Sequence, residues 1–397
     1  ENIVENIEKQ SIKDGADKSN GLENINNVDQ KQVTNINDNA DNKSQKNRKA
    51  VIDIGTNAVR GVVYESDELG ALEIANTQFS HDFNNSHNKK KNLFSIMNHY
   101  KKLFDHLHVN KVVLMGTAAM RAFDSEQLIK DIKELYNFNI VVLSGKEEAQ
   151  YVGKAIDMSI NNANGIVADL GGGSLEISCI KNHKIFNIVS IDLGDTGKVV
   201  ERIKSSFDFD NAKTLNNLYL VGGSFRLLIK QYAYKFNYPN ELISHYLSIS
   251  PYQLLNYIKN YAQDRYNIKY SIIEELISSL NIKNIIISNY GLKEGVHFSD
   301  FPNKNYMDLI IEKSYNITKN RISEYEMEQY GKIFKNLIPL YYDKYKFIFK
   351  LALMFVKINK CVNYVHKSSI LFDWILKINI PFSVETVSYT HLRAHET

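Results

Sequence analysis

Cysteine is scarce: Cys179 and Cys361 are the only two in 397 residues. Two thiols that far apart give neither a disulfide framework nor the close spacing of a metal knuckle, and they fit a reducing, cytoplasmic setting. Long apolar runs are also missing. The best candidate, residues 347–358, is short and carries Lys350 and Lys357, so it reads as a core helix rather than a membrane span. The N-terminus lacks the charged-then-apolar pattern of a signal peptide. A net charge of +3 is too small to argue for nucleic acid. What is present is a globular composition, 44% hydrophobic and 23% charged, in a chain long enough for two or three domains. Abundant Asn, Lys, Ile and Tyr read as an AT-rich coding bias, so isolated Lys and Asn carry little functional weight.

The most informative feature is a duplication. Ala50-Val51-Ile52-Asp53-Ile54-Gly55-Thr56-Asn57 returns as Ile166-Val167-Ala168-Asp169-Leu170-Gly171-Gly172-Gly173-Ser174. Each copy is an apolar run ending near Asp, then a turn of Gly and small polar residues, then a second apolar run. Backbone N–H groups approach an anion closely only where side chains are missing. Two such hairpins predict a paired clamp for phosphate, with the aspartates placed to hold a metal ion or water beside it. Asx-type capping of the turn is the alternative for each Asp.

Along the chain, residues 1–48 are polar with sparse apolars and are expected to be disordered. The chain opens on Glu1 rather than Met, so a preceding segment is expected. From 50 the pattern reads strand, turn, strand, then a helix over 93–107 and a strand over 111–115. A Gly-Thr loop, a helix over 125–136, a strand over 140–143 and a helix over 147–159 follow. The pattern restarts at 164 with the second hairpin, a strand over 185–191 and a helix over 196–206. A strand over 218–221, a Gly-Gly turn, a helix over 225–236, a helical run over 251–280 and a strand over 284–288 complete it. This alternation predicts two similar α/β domains, 49–161 and 162–302, facing each other across a cleft. Residues 303–386 read as an all-α third domain. Residues 387–397 differ in composition and read as a non-native tail.

Four positions carry candidate chemistry. Ser144 with Glu147 three residues on is a capping-box pattern, so Glu147 reads first as a helix cap. Glu148 shares an apolar stripe with Val152 and Ile156. An inward carboxylate is costly unless it has a role or a partner; a general base and a buried ion pair both remain open. Glu176, two residues past Ser174, is either a metal- or water-positioning acid or a solvent-facing strand residue. Arg121, in Gly116-Thr117-Ala118-Ala119-Met120-Arg121, is either a bidentate phosphate ligand or a surface arginine. Gly222-Gly223-Ser224 forms a third small-residue turn before a helix, where open N–H groups favour anions. Lys111, Lys198 and Arg226 are further cations that a cleft could recruit.

These motifs, in this order, resemble the exopolyphosphatase/guanosine pentaphosphate phosphohydrolase family of the sugar kinase and actin superfold. The matching segments include Val51-Ile52-Asp53-Ile54-Gly55-Thr56-Asn57, residues 116–121, Leu143-Ser144-Gly145-Lys146-Glu147-Glu148-Ala149, residues 168–176, Leu220-Val221-Gly222-Gly223 and residues 288–296. The resemblance implies two actin-like, ribonuclease H-like domains and Mg²⁺-dependent release of the terminal phosphate of polyphosphate, or of the 5′ γ-phosphate of pppGpp. It assigns Glu148 as catalytic base, Glu176 as second essential acid and Arg121 as a phosphate-binding arginine. Gly55, Thr56, Asn57, Gly171, Gly172, Gly173, Ser174, Gly222 and Gly223 are implied to bind phosphate, and Asp53, Asp169 and Glu176 to hold Mg²⁺.

Two departures bear on substrate affinity: Gln150 stands where the family often has Arg, and Ala118 where it usually has Ser. Residues 351–383 resemble a helical domain related to His-Asp metal phosphohydrolases. Phe355 and Val356 stand where that pair is expected, so a binding or dimerisation role is implied there, and the chain is expected to stop short near Glu385. Neither nucleic acid nor membrane is expected as a partner. The rivals are an ATP-dependent kinase or ATPase of the same superfold, and a non-catalytic sensor of polyphosphate or a guanosine alarmone. Hydrolysis requires that folding bring the two hairpin tips face to face with Glu148 aimed between them.

Overall fold

The computed structural model describes residues 47–67, 70–80, 89–122, 125–160, 162–238, 247–262 and 267–301, with Gln329 and Lys332. Two mixed sheets organise them. The first comprises β1 (Asn47–Ile54), β2 (Ala58–Asp67), β3 (Gly70–Ser80), β4 (Lys111–Gly116) and β5 (Ile140–Val142) in the order β3-β2-β1-β4-β5. The second comprises β6 (Gly165–Leu170), β7 (Ser174–Lys181), β8 (Lys184–Asp192), β9 (Asn217–Val221), β10 (Ser248–Ile249) and β11 (Asn284–Ile287) in the order β10-β11-β9-β6-β7-β8. Leave out the two-residue edge strand β10, and both sheets read third-second-first-fourth-fifth. In each, an antiparallel meander of three strands is followed by two strands parallel to the first. The duplication in the sequence is therefore a duplication of topology, the arrangement expected of two actin-like α/β halves.

Helices cover both faces: α1 (Lys89–His106), α2 (Ala118–Ala122), α3 (Glu126–Tyr136), α4 (Gly145–Ser159), α5 (Val199–Ser206), α6 (Phe209–Ala212), α7 (Gly223–Lys235), α8 (Pro251–Tyr261), α9 (Ile268–Ser279) and α10 (Leu292–Phe298). Covered on both faces, the central strands are apolar at successive positions rather than alternately. In β1, Ala50, Ile52 and Ile54 pack into one core with Leu93, Met97 and Ile132 of α1 and α3. Leu218, Leu220, Ile229 and Ile273 do the same for the second sheet. Val51, on the other face of β1, enters a third core with Met115, Val167, Tyr219 and Val221, closed by Val152 and Ile156 of α4 and Val296 of α10. This third core joins the two sheets. Each such side chain contributes roughly 1.5–3 kcal/mol by burial. Helices α4 and α10 approach so closely that a Cβ on Gly295 would lie 1.8 Å from the Tyr151 carbonyl oxygen.

The differences from expectation have local causes. Strand β1 begins at Asn47, ahead of the expected start at Lys49, because Arg48 pairs with Glu65 (Nε 2.8 Å) and its amide donates to Asn110 Oδ1 (2.8 Å). The segment expected as a Gly-Thr loop contains the short helix α2, started by Met120 N–H donating to the Thr117 carbonyl at 2.9 Å. Strand β3 and helix α10 were not foreseen: β3 is polar along much of its length, and α10 opens on Gly291 without a side-chain cap. The helical run over 251–280 is two helices, α8 and α9. Residues 1–46 and the regions assigned to an all-α domain and a non-native tail lie outside the described residues, apart from Gln329 and Lys332. Among the described residues no helix is long and apolar enough to cross a membrane.

Candidate active site

Both hairpin tips open into one cleft of about 310 Å³, lined by Gly55, Thr56 and Asn57 from the first and Gly171, Gly172, Gly173 and Ser174 from the second. The tips meet. A Cβ on Gly172 would lie 2.7 Å from Asn57 Nδ2, and one on Gly173 would lie 3.0 Å from Thr56 Oγ1 and 3.0 Å from Ala118 Cβ. Glycine here is a condition of the two tips approaching. The third turn joins them. Gly222 sits at φ 98°, and a Cβ there would come within 2.4 Å of the Leu170 carbonyl oxygen and 2.9 Å of Asp169 Oδ1. Gly223 and Ser224 continue the lining at the start of α7.

Sheet register sets two rows of side chains here, the first lining the cleft throughout and the second lining it at Asp169, with Glu176 and Ser190 behind. In the first, Asp53 on β1 stands opposite Arg60 on β2, which stands opposite Gln78 on β3. In the second, Asp169 on β6 stands opposite Glu176 on β7, which stands opposite Ser190 on β8. Arg60 Nε donates to Gln78 Oε1 at 3.1 Å, and Ser190 Oγ donates to Glu176 Oε1 at 2.9 Å. Burial pushes the carboxyls of Asp53 and Asp169 up to about 6; Arg60 opposes this at both, and Arg226 is the larger opposing charge at Asp169.

Glu148 reaches the same cleft from α4. Ser144 caps that helix: its Oγ accepts from the Glu147 amide at 3.3 Å, and Glu147 Oε2 accepts from the Ser144 amide at 2.8 Å. Glu147 is therefore the cap, and its carboxyl is held low by the Ser144 hydroxyl. Glu148 turns inward and is only 8% exposed. Arg121 on α2 ties the acids together. Its Nη1 donates to Glu148 Oε2 at 2.9 Å and to the Leu143 carbonyl at 2.9 Å; its Nη2 donates to Ser174 Oγ at 3.3 Å and lies 3.8 Å from Glu176 Oε1. Glu176 is 2% exposed, so it faces inward rather than to solvent. Burial, then the proximity of Glu176, raises the Glu148 carboxyl well above the usual range against the pull of Arg121. Burial and then Asp169 raise Glu176 likewise.

The three expected metal ligands do not form a ready cage: among the described residues no three His, Cys, Asp or Glu side chains gather closely enough to hold an ion alone. Glu176 is instead engaged by Ser190 and Arg121. The aspartate pair fits Mg²⁺ better, since that ion commonly takes one or two carboxylates together with substrate phosphate oxygens. Asp53 Oδ1 is buried with no hydrogen-bond partner at the cleft wall.

Several lining residues were assigned no role by sequence reading, although three of them lie in the matched segment 288–296. Arg60, Asn76, Gln78, Asn289, Lys293 and Glu294 all face the cleft. Register opposite Asp53 was the available signal for Arg60; nothing marked Asn76 or Gln78, because β3 itself was missed. Of the three further cations, Arg226 lines the cleft, its Nη1 donating to the Ser288 carbonyl at 3.2 Å. Lys111 instead approaches Asp300 at 3.7 Å and Lys198 approaches Asp195 at 3.5 Å; neither lines the cleft. Gln150 is exposed and outside the lining, whereas Ala118 is part of it. Only the second departure removes a polar group from the site.

Residues 72–213 match the model of the Ppx/GppA phosphatase family. That segment carries Arg121, Glu148, Asp169, Glu176 and the whole second hairpin, so the family resemblance read from the motifs is borne out. No curated protein matches the chain. Among solved structures, an exopolyphosphatase from Cytophaga hutchinsonii superposes with a TM-score of 0.55 at 18% identity, covering 64% of this chain and 97% of its own. A Ppx/GppA family member from Aquifex aeolicus gives 0.53 at 19% identity, covering 64% and 97%. At these identities the likeness establishes the two-sheet fold.

Proposed function

We propose that this chain is a phosphoanhydride hydrolase that removes the terminal phosphate of inorganic polyphosphate, with pppGpp as the second candidate substrate. One observation carries the reading: two glycine-tipped hairpins meet at a cleft into which Glu148 projects, held there by Arg121. The phosphatase-family match over residues 72–213 supports it.

Backbone N–H groups at the two tips and the Arg121 guanidinium would receive the terminal phosphate, neutralising charge that grows as the bond breaks. Glu148 would take a proton from a water molecule aimed at phosphorus. A carboxylate held above its usual range is a stronger base, which suits that task once it is ionised. Asp53 and Asp169 would hold Mg²⁺, which when bound supplies positive charge against the phosphate oxygens. Arg60, Arg226 and Lys293 would hold the phosphates further along the chain. Polyphosphate is favoured because, among the described residues, the cleft lining contains no aromatic side chain on which a guanine base could stack.

Phosphate release by the full chain from polyphosphate and from pppGpp, with and without Mg²⁺, tests the reading. Release from polyphosphate that needs Mg²⁺ is expected. Transfer from ATP to an acceptor, or tight binding of polyphosphate without release, would replace hydrolysis with one of its rivals.

A further inference from the structure

Two residues of the second row have no role in the mechanism above: Glu176, implied by the family resemblance to be a second essential acid, and Ser190. Ser190, on β8, donates its hydroxyl to Glu176 Oε1 at 2.9 Å. Its side chain sits in a notch made by a missing one. A Cβ on Gly145 would lie 2.0 Å from Ser190 Oγ, 2.3 Å from Ser190 Cβ and 3.6 Å from Glu176 Oε1. Gly145 is the first residue of α4, the helix that carries Glu148. One hydroxyl thus stands where the helix bearing one acid meets the strand bearing the other. The first sheet repeats the device with different chemistry: Gln78, at the same place on the third strand, accepts from Arg60 at 3.1 Å. In both copies the third-strand residue holds the second-strand residue.

We propose that Ser190 is a positioning residue: seated against Gly145, it fixes the Glu176 carboxyl relative to Glu148 for phosphate release. The inference rests on the hydrolase reading above. Ser190 is itself exposed, so removing its hydroxyl leaves the cores untouched. Glu176 would then swing from its place beside Arg121 and lose orientation without the cleft losing any phosphate ligand. Turnover should suffer rather than affinity.

Two variants of the full chain test this. Ser190→Ala is expected to lower kcat on polyphosphate about three- to tenfold, the size of one ordinary hydrogen bond, with KM within about twofold. Gly145→Ala leaves residue 190 intact but pushes its side chain off Glu176. It should lower kcat at least as much, at some cost in melting temperature, because the new Cβ would also lie 2.3 Å from Ser190 Cβ. The contact is also read without turnover, as a shift of the Glu176 carboxyl infrared band in Ser190→Ala, assigned by its loss in Glu176→Gln. Wild-type kcat in either variant, a loss of activity in Ser190→Ala carried by KM, or an unmoved band overturns the proposal. Were the wild-type chain to release no phosphate while the band still moved, the hydrolase reading would fall and the contact would stand.

Discussion

Arg60 and Glu176 occupy the same station in the two sheets, one facing Asp53 across β1–β2 and the other facing Asp169 across β6–β7. The duplication kept an aspartate in each copy and placed opposite charges beside them. Arg60 Nη1 lies 3.9 Å from Asp53 Oδ2, while Glu176 crowds a second anion against Asp169. The two halves are therefore alike in backbone and unlike in charge. On the proposed reading, the first row would offer a cation to the substrate and the second an acid to the reaction.

That asymmetry gives a first prediction. Arg60→Ala should raise the KM for polyphosphate by about tenfold, one charge-assisted hydrogen bond, with kcat little changed, because the guanidinium engages Gln78 and Asp53 rather than Glu148 or Glu176. Steady-state phosphate release over a range of chain concentrations measures it. A fall in kcat at constant KM would place Arg60 in the reaction rather than in binding.

Glu148→Gln keeps the shape of the side chain and removes the proposed base. Phosphate release should fall by a factor on the order of 10²–10⁴, while polyphosphate binding measured by calorimetry persists. The unmodified enzyme should gain activity as pH rises through neutrality, since burial and Glu176 hold the Glu148 carboxyl protonated there. A rate independent of pH from 6 to 9 would argue against Glu148 as the base.

Adjacent glycines give a matched pair for stability. Gly222→Ala forces a side chain at φ 98° and against the Leu170 carbonyl at 2.4 Å, and should cost roughly 1–3 kcal/mol or more. At Gly223 the nearest atom to a new Cβ is Arg60 Nη2 at 3.9 Å, so Gly223→Ala should fold nearly as the parent does. Chemical denaturation of the two variants side by side decides it. Equal losses would mean the turn does not depend on its left-handed residue.

Much of the site is legible in the sequence because it resides in short motifs whose local rules are strong. Ser144 and Glu147 announce a cap, and the apolar stripe of Val152 and Ile156 is enough to turn Glu148 inward. The repeat around Asp53 and Asp169 likewise specifies two hairpins. What stays hidden depends on partners distant in the chain. Gln78 matters only because β3 lies beside β2, and β3 lacks a clear apolar alternation. Ser190 matters only because Gly145 leaves room for it, 45 residues earlier in the chain. Lys111 and Lys198 look as eligible as Arg226 by residue type, and only packing separates them.

If Asp53 and Asp169 hold Mg²⁺ as proposed, they link stability, pH and the ion. Burial raises both carboxyls from 3.8 to about 6, so between those values the folded chain binds more protons than the unfolded one. Their contribution to stability is complete below pH 3.8 and is lost as pH climbs through 6. Asp53→Asn and Asp169→Asn should therefore gain stability relative to the parent as pH rises from 4 to 7 without Mg²⁺. Added Mg²⁺ should reverse the ranking at pH 7, because the ion binds the ionised pair of the parent and stabilises whatever binds it. Denaturation midpoints at pH 4 and 7, with the ion present and with a chelator, give the comparison. Parent and variants that track one another at every pH, and a parent indifferent to Mg²⁺, would remove the aspartate pair from the site of the ion.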